Sequence, residues 1–266
     1  MKSLLAVEWL KIKKYRTFWV LAIFFLALLP LWNIFIYNGF ISAGGGKGGG
    51  INVLSQSYSF PGIWGNLGFW GSIFVLFPSI LVIILTANEY TFRTNRQNVI
   101  DGYSRLQFFH AKCVLILVLA LAATLYLFLT GAVMGAVVSN GIDGIFSEIS
   151  KVGYFFLLAL NYMGFAFFTT VVIRKSGLAI GLFLLYSLII ENMLKGLLNW
   201  LLPIKLGNLF PLQASDELLP FSFMRMAESM MGVQQSIPMY VYVLVTCGWC
   251  ALYYFIARRI LLRRDW

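Results

Sequence analysis

From Thr17 to Gly46, and again from Cys113 to Ile142, the chain runs without one Asp, Glu, Lys or Arg. Stretches this long and apolar can satisfy their backbone N–H and C=O groups in lipid only as helices or as strands of a closed barrel. Barrel strands alternate apolar with polar residues, and these do not. Soluble domains carry about 25% charged residues, whereas this chain of 266 residues carries 11%, with 60% apolar. The sequence therefore predicts an all-α membrane protein: one transmembrane domain over 1–266, a six-helix bundle with spans near 17–38, 67–88, 111–138, 152–173, 177–199 and 238–257. The first stretch is read as a retained span, because its basic region is long and its apolar run exceeds the roughly 7–15 residues of a signal peptide.

Charge then orients the bundle, since Lys and Arg near span ends stay cytoplasmic. Fifteen of the twenty basic residues fall on one side: Lys2, Lys11, Lys13, Lys14 and Arg16; Arg93, Arg96, Arg105 and Lys112; Arg174 and Lys175; Arg258, Arg259, Arg263 and Arg264. The other side holds Lys47, Lys151, Lys195, Lys205 and Arg225. An even number of spans with both ends inside a cytoplasmic membrane satisfies this distribution. It also accounts for the net charge of +10 better than nucleic acid does, which would need a basic face on a soluble module.

Three segments outside the spans have character of their own. Lys2 to Arg16 sets Leu5, Trp9 and Ile12 among lysines, which suits an interfacial helix or a basic anchor that only fixes topology. Gly44 to Gly50 reads GGGKGGG. It fails the phosphate-loop pattern, lacking Ser or Thr after Lys47 and glycine at Ile41, and is expected to be an external linker. The region 200–237 is rich in apolar residues and proline, which fits short helices dipping into the outer leaflet or capping the bundle as an apolar hairpin before the last span. Ser215 followed by Asp216 and Glu217 is expected to start one such helix.

The segment that leaves span two is the most specific. Glu89 and Arg93 stand at i,i+4, the favoured order for a helical ion pair, with Thr91 between them and Arg96 on the same side one turn on. Asp101-Gly102 is expected to turn the chain, and Ser104 with Gln107 three residues later forms the pattern of a capping box that opens the third helix. Topogenic charge at a hairpin would explain the arginines alone. It would not call for the acid, the turn and the cap together, a combination suited to docking a partner or transmitting force.

In layout, with a basic arm, six spans, this cytoplasmic loop and an apolar hairpin before the last span, the chain resembles the ABC-2-type permeases of ABC exporters over nearly its whole length. Glu89, Thr91, Arg93, Ser104 and Arg105 look like the coupling-helix region of that family. The Asp101-Gly102 turn stands where many relatives have proline. The resemblance implies an export subunit that pairs with a second permease copy, homo- or heterodimeric, and with a separate ABC ATPase that binds ATP and Mg, this chain binding no cofactor itself. Independently, no phosphate-loop lysine motif occurs in the sequence, so ATP chemistry would have to come from another chain.

The remaining candidates are few. Asn161 in span four is expected to hydrogen-bond across helices. Glu191 and Lys195, at i,i+4 toward the outer end of span five, fit a packed ion pair, a pathway element or interfacial residues. Gly131 and Gly135 form G-x-x-x-G in span three, which lets another helix come close, a dimer seam being one place for it. Cys247 and Cys250 are expected to pack, having no thioredoxin-like surroundings, and the lone His110 lacks the partners of a metal site or a triad. A membrane-embedded transferase or protease would need His, Asp or Ser groups meeting at one depth, and the sequence points to none. A non-transporting assembly or sensory subunit is the other alternative to transport, and the cargo stays open among lipids, peptides, antibiotics and ions.

Overall fold

The computed structural model describes residues 15–44, 58–92, 104–202, 205–221 and 237–263, with Lys13, Thr94 and Gly102 besides, and the backbone alone over 39–44. Most of the basic arm, the glycine run after Gly44, and Arg93, Arg96, Asp101, Arg225 and Glu228 lie outside these residues. Six helices are long and apolar enough to cross a membrane: Arg16–Asn38, Ile63–Thr91, Arg105–Ser139, Ser150–Ile173, Ser176–Leu201 and Met239–Arg263, here spans one to six. Each of the six expected spans has its counterpart, and most ends lie within a few residues of expectation. Span three starts six residues early at Arg105, because the capping box rather than the edge of the apolar run sets its first turn. There the Ser104 side chain accepts from the Gln107 backbone N–H, and the Gln107 side chain accepts from the Ser104 N–H at 2.9 Å. Gly102 ahead of it has φ +90°, the left-handed backbone that the expected turn requires of a glycine.

Two prolines inside spans leave carbonyls to be served, since proline donates no N–H to residue i−4. Pro30 frees the Leu26 carbonyl in span one, and the Tyr126 hydroxyl of span three donates to it. Pro78 lies four residues after Phe74, where the helix Ile63–Phe74 breaks at Val75 before resuming as Leu76–Thr91. Span five carries its own irregularity, a π-helical turn over Tyr186–Ile190, and the extra reach lets Asn192 donate to the Ser187 carbonyl five residues back.

Span four is the centre of the bundle. Its apolar window is 56% buried against 17% for spans one and six, and Phe155, Leu158, Ala159, Met163, Ala166 and Val171 are inaccessible. Spans two, three, five and six pack against it, and span one lies outside against two and three. Cross-links separate two ends of the bundle. At one, Phe60 N–H donates to Ser139 Oγ and Trp64 Nε1 to the Ile145 carbonyl, both at 3.0 Å. At the other, Asn88 donates to the Tyr15 hydroxyl and Arg105 to the Leu262 carbonyl. This second end gathers Arg105, Lys112, Arg174, Lys175, Arg258, Arg259 and Arg263, and is the basic face.

The close approach expected at Gly131 and Gly135 is made within the chain. A Cβ on Gly131 would come 2.5 Å from the Trp64 ring, and one on Gly135 would come 2.5 Å from the Phe60 ring. Trp64, fully buried, stacks on Phe128 with centroids 5.5 Å apart. The two glycines thus receive the entry to span two, and a seam between copies is not what this motif packs. Gly131→Ala should therefore destabilise the protein by about 1–3 kcal/mol through overpacking, seen as a lowered unfolding midpoint in detergent. Gly153→Ala, where an added Cβ meets nothing within 4 Å, should be neutral or stabilising.

Candidate functional site

On the basic face, Glu89 lies at the end of span two and Lys112 two turns into span three, and their burial dictates their pairing. An ion taken out of water must find an opposite charge or shed its own. Lys112 Nζ meets Glu89 Oε1 at 2.7 Å, with both side chains at most 5% exposed, and the ammonium also lies 5.6 Å from the centre of the Phe108 ring. The sequence marks Lys112 as a topogenic charge; the structure makes it the buried counterion of Glu89. The Glu89 pairing expected from sequence falls half outside the described residues, as do Arg96 and Asp101. Thr91 is turned to its own helix, donating to the Ala87 carbonyl at 3.1 Å. Arg174, in the left-handed conformation that ends span four, sets its guanidinium 5.2 Å from the Tyr90 ring centre. The segment 92–104 therefore springs from two roots, one fixed by the ion pair and the other by the cap at Ser104.

At the opposite end, residues 205–221 fold back into the bundle. Asn161 of span four, Glu191 of span five and Trp249 of span six all reach this segment. Each lies ten or eleven residues from the end of its span on that side, at Ser150, Leu201 and Met239 respectively. At 1.5 Å per residue that is about 15 Å along each helix from its end. Of the two forms expected for 200–237, short helices dipping into the outer leaflet or capping the bundle, the described part has the short helices Leu206–Leu209 and Gln213–Asp216, packed against spans four, five and six.

Non-helical backbone so far along the spans must be served by protein, and the spans supply the partners. Trp249 Nε1 donates to the Leu209 carbonyl at 3.1 Å, and Asn161 to the Pro211 carbonyl at 2.7 Å. Asn199 Oδ1 accepts from the Gly207 N–H at 2.8 Å, and Glu191 Oε1 accepts from Leu212 and Gln213 at 2.7 and 3.1 Å. Gly207 has no substitute, because a Cβ there would lie 2.6 Å from the Lys195 carbonyl. The short helix is Gln213–Asp216, and Ser215 is not its cap. Glu191 receives the first amides, so the helix begins earlier than its own sequence suggests, and Ser215 Oγ donates to the Leu212 carbonyl from within.

Glu191 and Lys195 consequently divide. Both reach the segment 205–221, but Lys195 Nζ meets Glu217 at 2.6 Å and Gln213 at 2.8 Å, while Glu191, wholly buried, holds backbone. Tyr162 adds its hydroxyl to both oxygens of Asp216 at 3.0 Å. Acids, hydroxyls and amides thus do meet at one depth, against the sequence-based expectation of none. The advance signs were Asn161, Glu191, Lys195 and Asn199 on largely apolar helices and the Ser215-Asp216-Glu217 run in the apolar region after span five. His110 is hydrogen-bonded to the Tyr254 hydroxyl at 3.2 Å, and Cys250 packs with its thiol 3.7 Å from Asn161 Oδ1.

No family model matches the chain, and no curated protein matches it either.

Lys112→Met, which takes a buried counterion from Glu89, should cost about 3–5 kcal/mol, and Glu89→Gln with Lys112→Met should recover much of that. Glu191→Ala, which leaves two buried amides without an acceptor, should cost roughly 2–6 kcal/mol, and Glu191→Gln distinctly less. Equilibrium unfolding in detergent measures all four variants.

Proposed function

We propose that the chain is the permease subunit of an ATP-driven exporter of the ABC-2 type, seated in the cytoplasmic membrane with the basic face inward. Two permease copies would stand side by side, and a separate ABC ATPase, holding ATP and Mg, would dock on the 89–105 segment of each. The observation that carries this reading is the double rooting of that segment. A loop tethered by flexible ends would absorb a push. One fixed by the buried Glu89–Lys112 pair and by the Ser104 capping box passes the push to spans two and three.

Force has a continuous path from there. Spans two and three both pack on span four, whose Asn161 holds the Pro211 carbonyl and Ser215 of the segment 205–221. Closure of the ATPase would shift the loop, tilt spans two and three against span four, and change how that segment plugs the far side. Only discrete repacking of such rigid elements can convert a small shift at one face into opening at the other. Arg93, Arg96 and Arg105 supply charge for the docking, and nothing in the sequence offers a phosphate-binding lysine of its own.

Affinity purification of the tagged full-length chain in mild detergent should bring down a phosphate-loop ATPase. The change Arg96→Glu should lose that partner while leaving the unfolding midpoint of the permease unchanged. A folded wild-type chain that captures no ATPase, or a variant that captures it undiminished, would remove the proposal.

A further inference from the structure

Spans one, two and three leave a groove of about 260 Å³ between them, lined by Phe18, Trp19, Ala22, Leu81, Ala122 and Tyr126 among other apolar side chains. Its walls along span one run from Phe18 to Leu26, which is about 12 Å of helix, close to the roughly 15 Å of one leaflet's hydrocarbon. The deep end closes where the Tyr126 hydroxyl donates to the Leu26 carbonyl. Exposed Trp19, Ile23 and Phe24 lie along the same helix.

The mouth of the groove is cationic. Arg16 stands three residues before Trp19 and so on the same helical face, exposed to solvent. Trp19 Nε1 donates to the Lys13 carbonyl at 3.1 Å, which ties the backbone of exposed Lys13 to this lining residue of the groove. No acidic residue occurs between Lys13 and Asn38 to neutralise the pair. An apolar slot one leaflet deep beneath two cations is complementary to one molecule the membrane always supplies, a phospholipid with a negative headgroup.

We infer that this groove is a specific site for an anionic phospholipid, one acyl chain lying between spans one, two and three and the phosphate at Lys13 and Arg16. The inference does not depend on any ATPase partner. A lipid seated there fills the outer flank of the span one to three contact, next to the helices that the 92–104 segment joins.

Native mass spectrometry of the full-length, delipidated protein in detergent tests it, with phosphatidylglycerol and phosphatidylcholine as probes. The wild type should retain one phosphatidylglycerol about 10–30-fold more tightly than phosphatidylcholine. Lys13→Ala with Arg16→Ala should bring that ratio near one. Ala122→Trp, a change at an exposed position that fills the groove, should abolish retention of both, and Ala22→Phe should do the same from the facing wall if the first variant folds poorly. Equal affinity for the two lipids in the wild type, a preference that survives loss of both cations, or retention in a folded groove-filled variant would overturn the site. So would a lipid-free dimer that Ala122→Trp dissociates, which would give the groove to a second copy.

Discussion

A backbone amide or carbonyl half-way into a bilayer has no water to turn to, and this constraint organises the molecule. Regular spans solve it internally. The segment 205–221 cannot, because Pro211 and the tight path at Gly207 interrupt its hydrogen bonding, so five of its backbone groups are met by Asn161, Glu191, Asn199 and Trp249 from three different spans. Each such group left unserved would cost about 1–3 kcal/mol. The polar residues of the apolar helices are therefore explained by the segment, and the segment by them. Glu191 is the pivot of this arrangement, since one carboxylate oxygen receives two amides and thereby starts the short helix that presents Asp216 to Tyr162.

The basic face answers the same constraint with charge. Glu89 and Lys112 tolerate burial because each neutralises the other, and their pairing pins the ends of spans two and three to each other. Span four then joins the two ends of the bundle. It packs on spans two and three along its length, ends at Arg174 beside Tyr90, and carries Asn161 to the segment 205–221. The break at Val75 and the π-helical turn at Tyr186–Ile190 are the irregular points of spans two and five where bending would concentrate.

Much of this was legible in the sequence because the determining signals are local. Charge-free runs fix the number of spans, Ser104 and Gln107 fix the start of the third, and a glycine after Asp101 marks the turn. The proline-rich, apolar 200–237 region announced short helices against the bundle, and Asn161 a cross-helix bond. What sequence could not supply was the identity of partners distant along the chain. Lys112 lies 23 residues from Glu89, so periodicity offered a nearer arginine instead. Lys195 lies one turn from Glu191 but meets Glu217, because Glu191 is drawn to the amides of Leu212 and Gln213. Gly131 and Gly135 announced close packing without saying that aromatic rings of the same chain, Trp64 and Phe60, would occupy the space.

The account turns on which way the two ends of the bundle face, because the proposed docking loop would have to look into the cell while the segment 205–221 would lie toward the outside. Single cysteines placed at Arg96 and at exposed Ile142, in a background where Cys113, Cys247 and Cys250 are replaced by alanine, report this directly through a membrane-impermeant maleimide applied to cells. The account requires Ile142→Cys to label in intact cells and Arg96→Cys to label only after permeabilisation. The reverse pattern would place the basic face outside and contradict it.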